Sequence, residues 1–99
     1  MGNSLKSAAF LTESRIAGAA HGNVNALYEL GVAYSTGSDG VDVDLIEAHK
    51  WFNLAALNGS RRGQESRAEI AEEMSAREIA EAQRQARACL SSTSHRVAA

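Results

Sequence analysis

The sequence predicts an all-α protein of about five antiparallel helices, stacked as a short α-solenoid. The chain of 99 residues contains no proline, so no residue removes a backbone donor from a helix interior. Residues that favour helices dominate, and apolar residues recur at steps of three and four, the spacing of one helical face. Glycines and short polar segments separate these apolar runs, which indicates where the helices begin and end.

Two apolar runs between Asn25 and Gly59 organise the rest of the chain. Each run lies on one helical face, and a loop that contains glycine joins the two helices into a hairpin. Gly31 and the alanines are small enough for two backbones to approach closely, and larger side chains fill the remaining space. The predicted core of this hairpin consists of Leu27, Leu30, Gly31, Tyr34, Ala48, Trp51, Phe52, Ala55, Ala56 and Gly59.

The first two helices are separated by a glycine and an asparagine. We expect the first helix over residues 4–20, with Gly22 in the left-handed conformation that stops a helix. Asn23 can then cap the second helix, because its side chain can accept a hydrogen bond from a free backbone N–H. This second helix is predicted to end near Ser35.

The third and fourth helices each start at a polar cap. Asp44 opens the third helix and Glu47 follows it at the spacing of a capping box, while Gly59 ends the helix. Ser60 is the candidate cap of the fourth helix, which is predicted to reach about Met74.

The fifth helix starts with a second capping-box pattern, Ser75 and Glu78. It is predicted to run to about Leu90, and its apolar face is formed by Ile79, Ala82, Ala86 and Leu90. Residues 93–99 are small and polar, so we expect a frayed tail there.

The chain contains an internal repeat. Gly22 and Gly59 both end a helix and precede a polar helix start, and aligning them places Gly18 over Ala55. We therefore expect one domain over residues 1–92, with a full repeat at about 23–60, a half-repeat on either side and a closing helix at about 75–91.

The full repeat carries an ordered residue pattern. Its members are Leu30, Gly31, Tyr34, Gly37, Gly40, Val41, Asp44, Ala48, Trp51, Ala55, Ala56 and Gly59. This pattern resembles the SEL-one-like repeat of the tetratricopeptide-type superfamily, although the loop has one residue more than usual before Val41. The resemblance, which is to small bacterial members, implies a right-handed α-solenoid and an adaptor or scaffold that binds a polypeptide partner.

Two alternative functions stay open. The chain could be an accessory to, or regulator of, an enzyme in cell-wall or signalling chemistry. It could also be a self-associating structural cap of a longer repeat array. Family members linked to cell-wall or antibiotic chemistry carry paired cysteines, whereas this chain has Cys89 alone.

No group of residues predicts catalysis, a cofactor or a metal ion. Cys89 lies near a helix C-terminus, where the helix dipole disfavours a thiolate. His21, His49 and His95 have no histidine or cysteine partner at helical spacing, and we expect His49 on the polar side of its helix. The acidic residues from Asp39 to Glu47 lack the ligand spacing of a calcium loop.

The candidate binding surface lies on the second and fourth helices. In stacked helical hairpins the first helix of each hairpin lines the inner surface, and these two helices hold that place. Tyr28 is an aromatic residue that the repeat pattern does not require, and Arg62 begins the fourth helix with a positive charge. The predicted partner-binding residues are Asn25, Tyr28, Glu29, Arg62 and Glu65.

Charge and hydropathy favour a protein partner over other classes. The formal net charge is −2 and no long basic run is present, which argues against a nucleic-acid partner. No segment approaches the roughly 20 apolar residues of a membrane span, and the N-terminus lacks the apolar core of a signal peptide. We therefore expect a cytoplasmic protein that does not associate with membranes.

Overall fold

The computed structural model describes Gly18 and residues 22–98, with side chains as far as Leu90. Within this part of the chain the structure consists of helices and contains no strand, which confirms the all-α prediction. The helices are α1 (Val24–Thr36), α2 (Leu45–Leu57), α3 (Arg61–Ala71) and α4 (Ala76–Ala98). The helix predicted over residues 4–20 lies outside the described residues apart from Gly18.

Helix α2 is the centre of the described fold, because it packs against α1, α3 and α4. A helix with three neighbours buries side chains around most of its circumference, which widens the usual apolar stripe. The core cluster joins Leu54 and Ala55 of α2 to Leu27 of α1 and Ala86 of α4. The buried residues of α2 are Ala48, His49, Phe52, Leu54 and Ala55.

The contact between α1 and α2 depends on a glycine. Leu30 and Phe52 are the largest fully buried side chains, and a Cβ on Gly31 would overlap the ring of Phe52. Glycine costs about 1 kcal/mol against alanine inside a helix, so the close approach of the ring must offset that cost. Leu27, Leu30, Gly31, Ala48, Phe52 and Ala55 are buried, and Tyr34, Trp51 and Ala56 are half-buried.

Gly59 does not lie in the core, where the sequence analysis placed it. It is exposed, with φ 98°, and α2 ends at Leu57, two residues before it. Its role is conformational, because residues with a side chain rarely adopt a positive φ and glycine does so without strain. The residue lies between α2 and α3, and a Cβ built on it would meet no atom within 4 Å.

The close contact between one hairpin and the next, which we call a seam, occurs twice in the structure: at Gly18 and Ala26, and at Ala55 and Gly63. A Cβ built on Gly18 would lie 3.2 Å from the Cβ of Ala26, and one built on Gly63 would lie 2.9 Å from the Cβ of Ala55. In both seams a small residue at the end of one helix meets a small residue in the first turn of the next. The two backbones are therefore in contact at equivalent positions of the repeat.

Hydrogen bonds at the two seams also match. The backbone N–H of Asn23 donates to the carbonyl of Gly18 at 3.0 Å, and that of Ser60 donates to the carbonyl of Ala55 at the same 3.0 Å. The side chains of Asn23 and Ser60 each accept from the N–H three residues later, as the predicted caps require. The internal repeat seen in the sequence therefore extends to individual hydrogen bonds.

The two predicted capping boxes differ in the structure. At α4, Ser75 and Glu78 each bond the other's backbone N–H, as the motif predicts. At α2, Asp44 accepts from the N–H of Glu47, but the N–H of Asp44 donates to the carbonyl of Tyr34 instead. The capping box at Asp44 is therefore half-formed, because a backbone carbonyl of α1 takes the place of the glutamate.

Helix α4 is longer than predicted. It continues to Ala98, whereas the sequence analysis ended it near Leu90 and expected residues 93–99 to be frayed. No glycine or proline occurs after Leu90, so nothing in that segment forces the helix to stop. Ala82 and Ala86 are buried as their face predicts, but Leu90 is 39% exposed.

Candidate partner-binding surface

The structure brings two of the predicted partner-binding residues together across α1 and α3. The guanidinium carbon of Arg62 lies 4.4 Å from the centroid of the Tyr28 ring, a cation–π geometry. Arg62 is exposed, so its charge remains accessible while its side chain is held by the ring. These two side chains form what we call the Tyr28–Arg62 pair.

Local structure explains why Arg62 lies over the ring. Ser60 caps α3 and fixes its first turn, and the N–H of Gly63 donates to the Ser60 hydroxyl at 2.9 Å. Gly63 is buried against Ala55 and the backbone of α2, which brings this first turn close to the preceding hairpin. Arg62 is the neighbour of Gly63, so the seam also sets the position of the guanidinium.

The remaining predicted binding residues are exposed but are not drawn into this contact. Asn25 and Glu29 lie on α1, and Glu65 lies on α3 one turn after Arg62. Arg61, the first residue of α3, is also exposed and adds a second positive charge beside Arg62. The surface therefore combines one aromatic ring, two arginines and a polar surround.

Tyr28 has a structural role besides any role in binding. Its ring is half-buried, packs against the core cluster and lies 5.5 Å from the ring of Phe52 at an angle of 45°. Tilted rings at this separation attract each other by about 0.5–1.5 kcal/mol beyond their burial. We therefore expect Tyr28→Ala to lower the melting temperature as well as to affect binding.

Helix α3 is linked to α2 by one long-range side-chain hydrogen bond. The guanidinium of Arg67 donates to the Oδ1 of Asn53, which lies on α2. Charge-assisted bonds of this kind are stronger than bonds between neutral groups. Arg67 is thus committed to the fold, whereas Arg61 and Arg62 remain exposed at the start of the same helix.

His49 lies in the interior, so the predicted place on the polar side of its helix was wrong. It is 3% exposed, and its Nδ1 is buried with no hydrogen-bond partner among the described residues. Burial, and after it the positive charge of Arg67, lowers the pKa of His49. The reason for the error is that α2 has three neighbours, so positions beside its main apolar stripe are covered as well.

Trp51 is held at the edge of the core by a polar contact. Its Nε1 donates to a Glu47 carboxylate oxygen at 3.0 Å, and the Lys50 ammonium lies 4.6 Å from the ring centroid. Lys50 also forms an ion pair with Glu47 at 3.0 Å.

Burial, followed by the negative charges of Glu47 and Asp44, raises the pKa of Tyr34.

Within the described residues, no three histidine, cysteine or acidic side chains are placed to hold a metal ion together. Asp42 is exposed in the loop, and Asp44 acts as the cap of α2. None of the helices in that part of the chain is long and apolar enough to cross a membrane.

Some residues important to this surface were missed by the sequence analysis. Gly63 could have been found, because a glycine inside a predicted helix needs the same explanation as Gly31. The bond between Asn53 and Arg67 could not, because nothing in the sequence relates two polar residues on different helices.

Comparison with known families gives one match. A family model for the Sel1 repeat matches residues 24–60, the segment that contains α1, the loop, α2 and the Ser60 cap. Searches of curated proteins and of solved structures found no match. Sel1 repeats are non-catalytic modules that generally mediate protein–protein interactions. Residues 24–60 therefore match a Sel1 repeat, which supports a Sel1-like repeat protein.

Proposed function

We propose that this protein is an adaptor that binds an acidic polypeptide segment across α1 and α3. The observation that carries the proposal is the Tyr28–Arg62 pair, which spans the two helices and presents an aromatic ring beside an accessible charge. Tyrosine and arginine are enriched among the residues that dominate binding energy at protein interfaces.

Charge supports an acidic partner. Arg61 and Arg62 are exposed at the start of α3, where the helix dipole is already positive. Neither arginine forms an ion pair within the described part of the chain. The free backbone N–H groups of a helix start and two nearby guanidiniums together favour carboxylates.

Preorganisation also supports the site. The Tyr28 ring limits the motion of the Arg62 side chain, so less conformational entropy is lost when a carboxylate binds. The ring itself is anchored by its contact with Phe52. An aspartate or glutamate next to an apolar residue in the partner would match this arrangement, the carboxylate on Arg62 and the apolar group on the ring.

The test is a binding measurement with defined peptides. Fluorescence anisotropy would compare a labelled peptide rich in glutamate and leucine with a peptide in which lysine replaces each glutamate. We expect Arg62→Glu to weaken binding of the acidic peptide about tenfold or more, since it reverses a charge in the contact. Its melting temperature should change little, because the lost cation–π contact of about 0.5–1 kcal/mol is offset by an acidic residue in the first turn of α3.

The matched control is Arg87→Glu on α4. Arg87 is exposed, and its replacement makes the same change in net charge away from the proposed surface. Arg87→Glu should bind the acidic peptide like the wild type. Equal weakening by the two variants would show a general charge effect, and no weakening by either would place the binding surface elsewhere.

A further inference from the structure

His49 is the buried titratable group that neither the core nor the proposed binding site requires. It is 3% exposed, and its Nδ1 is buried and has no hydrogen-bond partner among the residues that the structure describes. Protonation of this buried nitrogen is costly, because a protonated Nδ1 needs a hydrogen-bond acceptor and the described residues supply none. The neutral ring therefore fits the site, and the imidazolium does not.

The positive charge of Arg67 makes protonation of His49 less favourable still. Arg67 of α3, whose guanidinium bonds Asn53 one turn after His49 on α2, acts on His49 with its positive charge. Asn53 follows His49 by four residues on α2, so the Arg67 guanidinium lies on the same side of that helix as His49. An imidazolium at His49 would thus face a like charge across the α2–α3 contact.

Helix α3 is the element that this repulsion would release. Gly63 is the one buried residue in α3, whose side chains are all described. Two contacts link α3 to α2: the backbone contact at Gly63 and the Arg67–Asn53 bond. An element with so little buried apolar surface opens at a lower free energy than the rest of a domain.

We propose that His49 is an acid-sensitive lock on α3: while neutral it allows α3 to pack on α2, and its protonation releases α3 and separates the Tyr28–Arg62 pair. The release of α3 rests on the burial of His49, on its unpartnered Nδ1 and on the Arg67–Asn53 bond one helical turn away. Its consequence for binding rests on the proposed function.

The direction of the pH effect follows from linkage. The pKa of His49 is lowered in the folded protein, so the unfolded or opened state binds more protons in mild acid. Stability is therefore retained above the ordinary histidine pKa of about 6.5 and falls as the pH drops below it. The loss continues until the pH passes the lowered pKa of the folded state.

The first experiment uses the wild-type chain. Nuclear magnetic resonance would follow the imidazole signals of His49, and amide hydrogen exchange would give protection factors for α1 and α3 at about pH 7.5 and pH 5.5, on either side of the ordinary histidine pKa. We expect His49 to titrate below that pKa, and protection of α3 to fall by roughly tenfold more than protection of α1. A titration at or above the ordinary value, or equal changes in the two helices, would overturn the proposal.

Variants then assign the effect to one residue. His49→Gln and His49→Leu should abolish the extra loss of protection in α3, whatever their own stability, because each variant is compared only with itself at the two pH values. A chain with both His21→Gln and His95→Gln should keep the loss. If the loss survives in the His49 variants, another group is responsible and the lock is refuted.

A binding arm separates this proposal from the proposed function. The glutamate-rich peptide should bind the wild type more weakly at about pH 5.5 than at about pH 7.5, and the His49 variants should show less of this decrease. If α3 is released in acid but peptide affinity is unchanged, the lock stands and the Tyr28–Arg62 surface is not the binding site.

Discussion

Gly31 is a residue at which a single methyl group would have a large effect. A Cβ there would overlap the ring of Phe52, which is 2% exposed and cannot move outward without disturbing the core. Gly31→Ala should therefore lower the free energy of unfolding by about 1–2 kcal/mol, although alanine is the better helix former. Urea denaturation followed by circular dichroism measures this change.

The control for Gly31 is a double-mutant cycle. Phe52→Leu removes part of the ring that the new methyl group would meet, so Gly31→Ala should cost less in a Phe52→Leu background than in the wild type. Equal costs in both backgrounds, or a stabilising effect in the wild type, would show that the ring does not determine the choice of glycine.

Two residues show how far residue types predict environment. Trp51 was predicted to fill the core, and it contacts the core cluster, but its indole N–H reaches outward to Glu47. His49 was predicted at the surface and is buried. Helical spacing identifies the centre of an apolar face well, but it does not show how many neighbours will cover the flanks of that face.

At the level of elements, the contact between α2 and α3 at Gly63 leaves no room for a side chain. A Cβ on Gly63 would lie 3.0 Å from the carbonyl oxygen of Phe52 and 3.2 Å from the N atom of Ala56. Backbone atoms cannot turn aside as a flexible side chain can. Gly63→Ala should therefore shift α3 on α2 and reduce stability by about 1–3 kcal/mol, despite the helix-favouring change.

The matched control is Gln64→Ala, which also introduces alanine but at the exposed position next to Gly63. Thermal unfolding should show it at or slightly above the wild-type melting temperature, because alanine has a somewhat higher helix propensity. If both variants are equally stable, α3 is not held in contact with α2 by Gly63, and the seam must be looser than described.

Caps and glycines made most of the described elements predictable. The starts of α1, α2, α3 and α4 follow the polar caps read from the sequence, because a helix start needs acceptors for its free N–H groups. The end of α4 was missed, since its sequence contains no stop signal after Leu90. The capping box at Asp44 was half right, because a carbonyl from another helix competes for the same N–H.

At the scale of the whole molecule, the Sel1 repeat and the helical fold of the described residues could be predicted, because the pattern of small, aromatic and glycine residues is ordered over a full repeat. The candidate surface could be predicted only in part. The repeat implies that α1 and α3 are neighbours, which brings Tyr28 and Arg62 within reach of each other. Their stacking, and the tie between Asn53 and Arg67, depend on side-chain geometry that spacing alone does not determine.

Helices α1, α2 and α4 should unfold as one cooperative unit, because the core cluster spans these three helices. Ala86 of α4 is 1% exposed in this cluster, whereas Ala88, two residues later, is exposed. Ala86→Asp places an unpaired charge in the shared core and should destabilise the protein by about 3 kcal/mol or more, since the carboxylate finds no partner there. Ala88→Asp should change the stability by no more than about 0.5 kcal/mol.

Two spectroscopic probes distinguish global unfolding of the Ala86→Asp variant from local unfolding of α4. Trp51 fluorescence reports on α2, and far-ultraviolet circular dichroism reports on all helices, so coincident denaturation curves for Ala86→Asp indicate a single transition. If Ala86→Asp shifted only part of the circular dichroism signal and left the Trp51 transition in place, α4 would be an independent element. The hairpin of α1 and α2 would then be stable without α4, even though Leu27 and Leu54 would lose their contact with Ala86.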